Sequence, residues 1–276
     1  MDTFRGLVEL TRPVNAIAAG ALTLIGAYIA GNIVIHPLNA GLATAATVFA
    51  VGAGNAINDY FDREIDRINA PERPIPRGVV SPRSALVFSI VCFAIAIGLA
   101  LTLPLLAVGI ASINLVALVA YTELFKGLPG AGNVVVAYLG GSTFLFGGAA
   151  MASADLTTVA TLAVLAALST LTREIIKDVE DITGDRQQNL NTLPIAIGER
   201  ASLLIALACI ITAVIASPYP SLLGPFGVVY LAVVLPADVI MLVASVEGFR
   251  DPTAAQSHIK YGMFLAAAAF IVGRVI

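Results

Sequence analysis

The sequence predicts an all-α, polytopic membrane protein of nine transmembrane helices that carries two copies of one aspartate-rich motif. Three observations lead there. Of 276 residues, 58% are hydrophobic and only 12% charged, with a mean hydropathy of +0.93, whereas soluble domains carry roughly 25% charged residues. The apolar residues gather in runs close to the roughly 20 residues that a helix needs to cross a bilayer. Finally, Asp59, Asp62 and Asp66 return as Asp178, Asp181 and Asp185 at a constant offset of 119 residues.

In chain order the runs occupy residues 13–31, 39–60, 84–101, 103–121, 131–150, 156–176, 199–216, 221–246 and 258–275. The stretch before the first run has charges of both signs and no small-residue cleavage pattern, which predicts a retained first helix and not a signal peptide. His36-Pro37, the series Pro71, Pro74, Pro76, Gly78 and Pro82, the stretch from Gly127 to Gly130, Ser217-Pro218 and Asp251-Pro252 supply turn chemistry between runs. Pro225 and Pro236 inside the eighth run predict a kink or two shorter helices, tolerated in membranes because neighbours re-satisfy the freed backbone groups. No separate soluble domain is expected, so residues 1–276 form a single intramembrane domain.

Charge tests the count, because Lys and Arg concentrate in cytoplasmic loops. Nine spans with the N-terminus inside place 14 of the 15 Lys and Arg residues on the cytoplasmic side and leave only Arg274 outside. Eight spans strand one or more basic clusters. The expected location is therefore the cell membrane, multi-pass, with both aspartate motifs facing the cytoplasm. A net charge of -3 with interleaved acids and bases offers no basic stripe, which excludes nucleic acid as the ligand. Cys92 and Cys209 lie inside apolar runs and read as small hydrophobes. His36 and His258 fall at opposite faces and cannot pair on a metal. Asp238, inside the eighth run, is costly there and is expected to hold structure through hydrogen bonds.

Residues three, four and seven apart share a helix face. Asn58, Asp62 and Asp66 thus form a stripe with Asp59 beside it, and Asp178, Asp181 and Asp185 do the same at the end of the sixth run. Six carboxylates at a membrane boundary repel one another unless cations sit between them. Carboxylates without His or Cys select a hard cation, and Mg²⁺ takes one or two of them while keeping positions for water and phosphate. Arg63, Arg67, Arg73 and Arg77 follow the first motif, and Arg173, Lys177 and Arg186 surround the second. Guanidinium groups bind phosphate oxygens bidentately, so metal and arginine together point to a phosphate or diphosphate ligand. A cation transporter is the rival from another class. It would distribute carboxylates through the depth of the bilayer, whereas these gather at one face.

These residues resemble the UbiA-type intramembrane prenyltransferases. Asn58, Asp59, Asp62 and Asp66 match that family's N-D-x-x-D-x-x-x-D motif, Asp181 and Asp185 its D-x-x-x-D motif, and the stretch from Asn69 to Gly78 its N-R-P-x-R-P-I-P-x-G loop. Thr11-Arg12-Pro13 resembles its first-helix arginine element, and Tyr121 with Lys126 its Tyr/Lys pair. The resemblance implies nine helices around a central cavity open toward lipid, with Mg²⁺ as cofactor and transfer of a prenyl group from its diphosphate. It assigns Asn58, Asp62, Asp66, Asp181 and Asp185 to metal, and Arg73 and Lys126 to the diphosphate. The expected catalytic set is Asp62, Asp66, Asp181, Asp185, Lys126 and Tyr121. The expected substrate-binding set is Arg12, Asn58, Arg73, Arg77, Lys177 and Asp178. Ala70 and Gln187-Gln188-Asn189 depart from the family pattern, where relatives carry basic residues.

Within the family, the stretches 141–148 and 173–185 look most like those of archaeal enzymes that transfer a geranylgeranyl group to geranylgeranylglyceryl phosphate and so make the second ether bond of archaeal lipids. The partners implied are a prenyl diphosphate donor, a lipid acceptor and membrane lipid. Aromatic or tetrapyrrole acceptors share the same donor site and stay open at this point. A carbocation formed from the donor favours aromatic faces, for which Tyr121, Tyr138, Phe144 and Phe146 are candidates.

Overall fold

The computed structural model describes all residues except 1, 122–124, 126, 127, 153–155, 188, 189, 223, 225 and 276, and describes only the backbone at 65, 69 and 275. Its described elements are all α-helices. In chain order they are α1 (Asp2–Leu10), α2 (Pro13–Ala30), α3 (Pro37–Phe61), α4 (Arg63–Asn69), α5 (Pro82–Ala100), α6 (Leu105–Ala120) and α7 (Ala131–Ala149). There follow α8 (Leu156–Glu180), α9 (Ile182–Gln187), α10 (Leu193–Ile197), α11 (Glu199–Ala216), α12 (Tyr219–Leu222), α13 (Val228–Glu247) and α14 (Pro252–Val275). Proline begins α2, α3, α5 and α14, where its missing N–H costs nothing and its fixed φ suits the first turn. Ser81 caps α5 by accepting from the Ser84 amide at 3.0 Å, and Asp251 caps α14 by accepting from the Ala254 amide at 2.9 Å.

Each predicted run coincides with a helix, although α3, α5, α8 and α14 start or end several residues beyond the apolar stretch that announced them. Six helical spans are both long and apolar enough to cross a membrane: 13–30, 37–61, 82–100, 156–180, 199–222 and 228–247. The eighth run is broken, with α12 short and α13 starting after Gly227. Pro236 lies within α13, while Pro225 falls outside the described residues. Asp238 is buried in α13 and accepts a 2.5 Å hydrogen bond from the Ser217 hydroxyl, whose residue in turn receives Tyr230 OH on its carbonyl at 2.7 Å.

The 119-residue offset extends beyond the aspartates to the helices themselves. α3 and α4 begin at 37 and 63 and recur as α8 and α9, beginning at 156 and 182. At close to the same spacing, α2, α5 and α6, which begin at 13, 82 and 105, are followed by α7, α11 and α13, which begin at 131, 199 and 228. Neighbours recur as well: α2 packs on α3 and α3 on α5, as α7 packs on α8 and α8 on α11. At the join, α2 crosses α7 so closely that a Cβ on Gly26 would collide with the Phe144 carbonyl, and one on Gly147 with the Thr23 carbonyl. Small residues permit this approach, the packing on which helices in lipid depend.

The halves differ in one respect. A cavity of about 310 Å³ opens between α3, α5, α6 and α7, reaching from Asn58 to Thr47, Leu101 and Val108. At the corresponding place in the second half, among α8, α11, α13 and α14, α13 packs along α14. There the rings of Phe226, Tyr230 and Phe270 meet with centroids 5.0 to 5.4 Å apart.

Candidate active site

Both motifs sit where a long helix is interrupted at its end. α3 stops at Phe61, Asp62 departs from helical geometry with ψ 2°, and α4 resumes at Arg63. In the second half α8 stops at Glu180 and α9 resumes at Ile182, so Asp181 occupies the matching interruption. The stripe expected from the spacing of each motif thus spans a short interruption. The i→i−4 amide bonds persist, from Asp62 to Asn58 and from Asp66 to Asp62 at 2.8 Å, and from Asp181 to Lys177 at 2.9 Å and Asp185 to Asp181 at 3.0 Å. The turn is therefore kept across each interruption.

In the first motif Asp59 is buried, 3% exposed, and arginine surrounds it. Arg12 donates Nη2 to Asp59 Oδ1 at 2.8 Å. Arg73 places Nη1 2.6 Å from Asp66 Oδ2 and 3.3 Å from Asp59 Oδ1, tying two of the motif's carboxylates together. Burial works against the Arg73 charge, but the Asp66 hydrogen bond and the fields of Asp59, Asp66 and Asp62 outweigh it and strengthen its hold on the proton. The loop that carries Arg73 is anchored through Ile75 and Val80, which are buried with Leu10, Ala56 and Ala85. Gly78, at φ 75°, makes its tight return to the Pro74 carbonyl possible. Arg12 has a left-handed backbone, φ 48°, with the preceding Thr11 carbonyl held by Asn55 Nδ2 at 2.9 Å.

In the second motif the described hydrogen-bond donors to Asp178 and Asp185 are neutral, and Lys177 is a charged neighbour. Asn133 Nδ2 donates to Asp178 Oδ2 at 2.8 Å, and the Thr192 hydroxyl donates to Asp185 Oδ2 at 3.2 Å. Lys177 Nζ lies 3.9 Å from Asp181 Oδ2, with both side chains about half exposed. Burial pushes the Asp185 carboxyl above its ordinary value; the Thr192 hydrogen bond opposes this, the Asp181 charge adds to it and Lys177 moderates it. Tyr121, directly after α6, is half-buried and within the fields of Glu174, Asp178, Asp62 and Asp185. Carboxylates of both motifs thus act on this one side chain.

Asn58 lines the cavity, as does Phe146, while Phe144 is buried at the helix crossing and Tyr138 is 37% exposed. Arg77 stands apart from the motifs and pairs with Glu9 at 2.9 Å. Lys126 lies outside the described residues. His258 pairs with Glu247 at 2.7 Å. The sequence reading missed Asn133, Asn55, Glu174 and Thr192. Asn55 and Asn133 carried the one available signal, an amide inside an apolar run.

Among the described residues no group of three His, Cys, Asp or Glu side chains is drawn together as a metal cage. The donor set nonetheless fits Mg²⁺, a hard cation that takes one or two carboxylates per ion and completes its shell with water and phosphate oxygens. Asn58, Asp62 and Asp66 on one side and Asp181 and Asp185 on the other would hold it.

A family-wide profile described as the UbiA prenyltransferase family matches residues 19–268. The chain is 60% identical over 275 residues to the digeranylgeranylglyceryl phosphate synthase of Natronomonas pharaonis, covering 100% of this chain and 99% of that one. A solved structure from work on digeranylgeranylglyceryl phosphate synthase in membranes superposes with a TM-score of 0.87 at 36% identity, over 100% of this chain and 99% of the other. A UbiA homologue from Archaeoglobus fulgidus, bound to GPP and Mg²⁺, shares the fold with a TM-score of 0.67 at 18% identity, over 98% and 100% of the two chains.

Proposed function

Because the chain belongs to the UbiA prenyltransferase family, we propose that it transfers a geranylgeranyl group from geranylgeranyl diphosphate to geranylgeranylglyceryl phosphate, in the synthesis of archaeal ether lipids. The observation that carries this reading is that carboxylates of both motifs act on Tyr121, with Arg12 and Arg73 among them and an apolar cavity beginning at Asn58. The acceptor follows from the relatives, whose name is digeranylgeranylglyceryl phosphate synthase over essentially their whole length. A structure of the same fold holding GPP and Mg²⁺ supports the donor and the cofactor.

Asn58, Asp62, Asp66, Asp181 and Asp185 would hold Mg²⁺, which when bound would supply positive charge to the leaving diphosphate. Arg12 and Arg73 add cationic donors where the negative charge develops, so the allylic C–O bond can break. The acceptor hydroxyl oxygen bonds to C1 of the prenyl chain and its proton passes to a carboxylate, the diphosphate or water. The cavity walls accommodate hydrocarbon and keep water from the cation. Nine helices, α2, α3, α5, α6, α7, α8, α11, α13 and α14, cross the membrane in this reading, around a cavity open to lipid, with the motifs on the cytoplasmic side. The distribution of Lys and Arg supports that orientation.

The test is an assay of the purified protein with geranylgeranyl diphosphate, Mg²⁺ and a panel of acceptors that includes geranylgeranylglyceryl phosphate. The diether product is expected, and EDTA abolishes it. Turnover of an aromatic or tetrapyrrole acceptor alone would overturn the acceptor assignment. Asp62→Ala and Asp181→Ala are each expected to abolish transfer, and full activity in either sinks the two-motif site.

A further inference from the structure

The two halves attach their leading aspartates in the same place by different chemistry. In the first half Arg12, the residue that caps α2, reaches Asp59 at 2.8 Å; in the second, Asn133, in the first turn of α7, reaches Asp178 at 2.8 Å. Both caps are left-handed, Arg12 at φ 48° and Gly130 at φ 70°, so the opening turn of each half's first helix is delivered to the aspartate in a similar way. Asp59 and Asp178 are themselves related by the 119-residue offset. Asn133 therefore holds Asp178 as Arg12 holds Asp59, but from the third residue of its helix and not from the cap, which is Gly130, and with an amide in place of a guanidinium.

That difference decides what each aspartate can do. Asp59 lies against two guanidinium groups, Arg12 and Arg73, and its charge is spent on them. Asp178 receives a directed hydrogen bond on Oδ2 from a neutral donor that is 7% exposed, and Asp185 lies near enough to act on it electrostatically. Among the described residues no guanidinium is paired with it; Glu174 adds to the field of Asp185, and Lys177 opposes them without a direct contact. An amide donor fixes a carboxylate's orientation without neutralising it, the role that outer partners play for metal ligands.

We propose that Asn133 is a positioning residue that holds Asp178 turned toward a divalent cation shared with the second motif, so that this motif binds cation before the arginine-filled first motif does. The proposal rests on the prenyltransferase reading for its cation, but its test does not require turnover.

The test is Mn²⁺ binding to the detergent-solubilised full chain without substrate, read as the loss of free Mn²⁺ signal by electron paramagnetic resonance. Asn133→Ala is expected to weaken Mn²⁺ binding about 10- to 100-fold, and Asn133→Ser, whose hydroxyl is too short to span the gap, to do the same. In an Asp178→Asn background the Asn133 substitution should have no further effect. With substrates present, the Asn133 variants should require more Mg²⁺ for half-maximal rate while approaching the original kcat at saturation. Thermal unfolding of each variant identifies those that fold, and the serine variant serves if the alanine variant does not. Unchanged Mn²⁺ binding in either folded Asn133 variant overturns the proposal, as does an equal loss in the Asp178→Asn background. So does a failure of the unaltered protein to bind Mn²⁺ without substrate. If Mn²⁺ binding behaves as expected but no prenyl transfer occurs, the positioning role stands and the proposed function fails.

Discussion

At the scale of single residues, the site is a set of acids whose partners decide their use. Asp66 and Asp59 are tied together by Arg73, whereas Asp185 is held by a hydroxyl and pushed toward its protonated form by burial. With its folded-state value raised, Asp185 stabilises the metal-free protein below its unfolded titration point, and that contribution is lost as pH rises through the folded value. A cation bound to the ionised form reverses the balance. The Mg²⁺ concentration for half-maximal rate is therefore expected to climb as pH is lowered into the carboxylate range, earlier than for an ordinary aspartate. Asp185→Asn should flatten that dependence in Mg²⁺ titrations at a series of pH values. The aspartates themselves were legible in the sequence because few acids punctuate an apolar chain and these recur at one spacing. Their partners were not, because Asn133 meets Asp178 across 45 residues and no local pattern encodes such a pairing.

At the scale of elements, the long helices were legible from apolar length, and their proline starts from the breaks. The interruptions at Asp62 and Asp181 were not, because a period of three and four describes an uninterrupted helix and an interrupted one equally well. Nor did the apolar sequence reveal that α2 through α6 recur as α7 through α13, since Ala, Leu, Ile and Val replace one another freely in lipid-facing helices. The α2–α7 crossing makes the join between the halves testable. Gly147→Ala places a methyl against the Thr23 carbonyl and is expected to cost about 1–3 kcal/mol, with a lowered unfolding temperature in detergent. Gly109→Ala in α6, where an added Cβ meets nothing within 4 Å, should leave that temperature nearly unchanged.

At the scale of the whole molecule, the proposed topology puts four crossings, α5, α6, α7 and α8, between the two motifs and would so carry both to the same side, which is how a parallel repeat assembles one site from two helix ends. The orientation can be checked by labelling. A cysteine at Arg186 should react with a membrane-impermeant maleimide applied from the cytoplasmic side, and a cysteine at Asn32 only from the opposite side. Cys92 and Cys209 lie in helices and should give little background. The looser packing of α5 on α6 than of α13 on α14 has a mechanical consequence. Where α13 and α14 interlock around Phe226, Tyr230 and Phe270, separation would break many packed contacts at once; where α5 and α6 border empty space, displacement breaks few. Local opening follows the weaker packing, so displacement is expected at α5 and α6 before it reaches α13 and α14, and amide hydrogen exchange in detergent should be faster in the first pair.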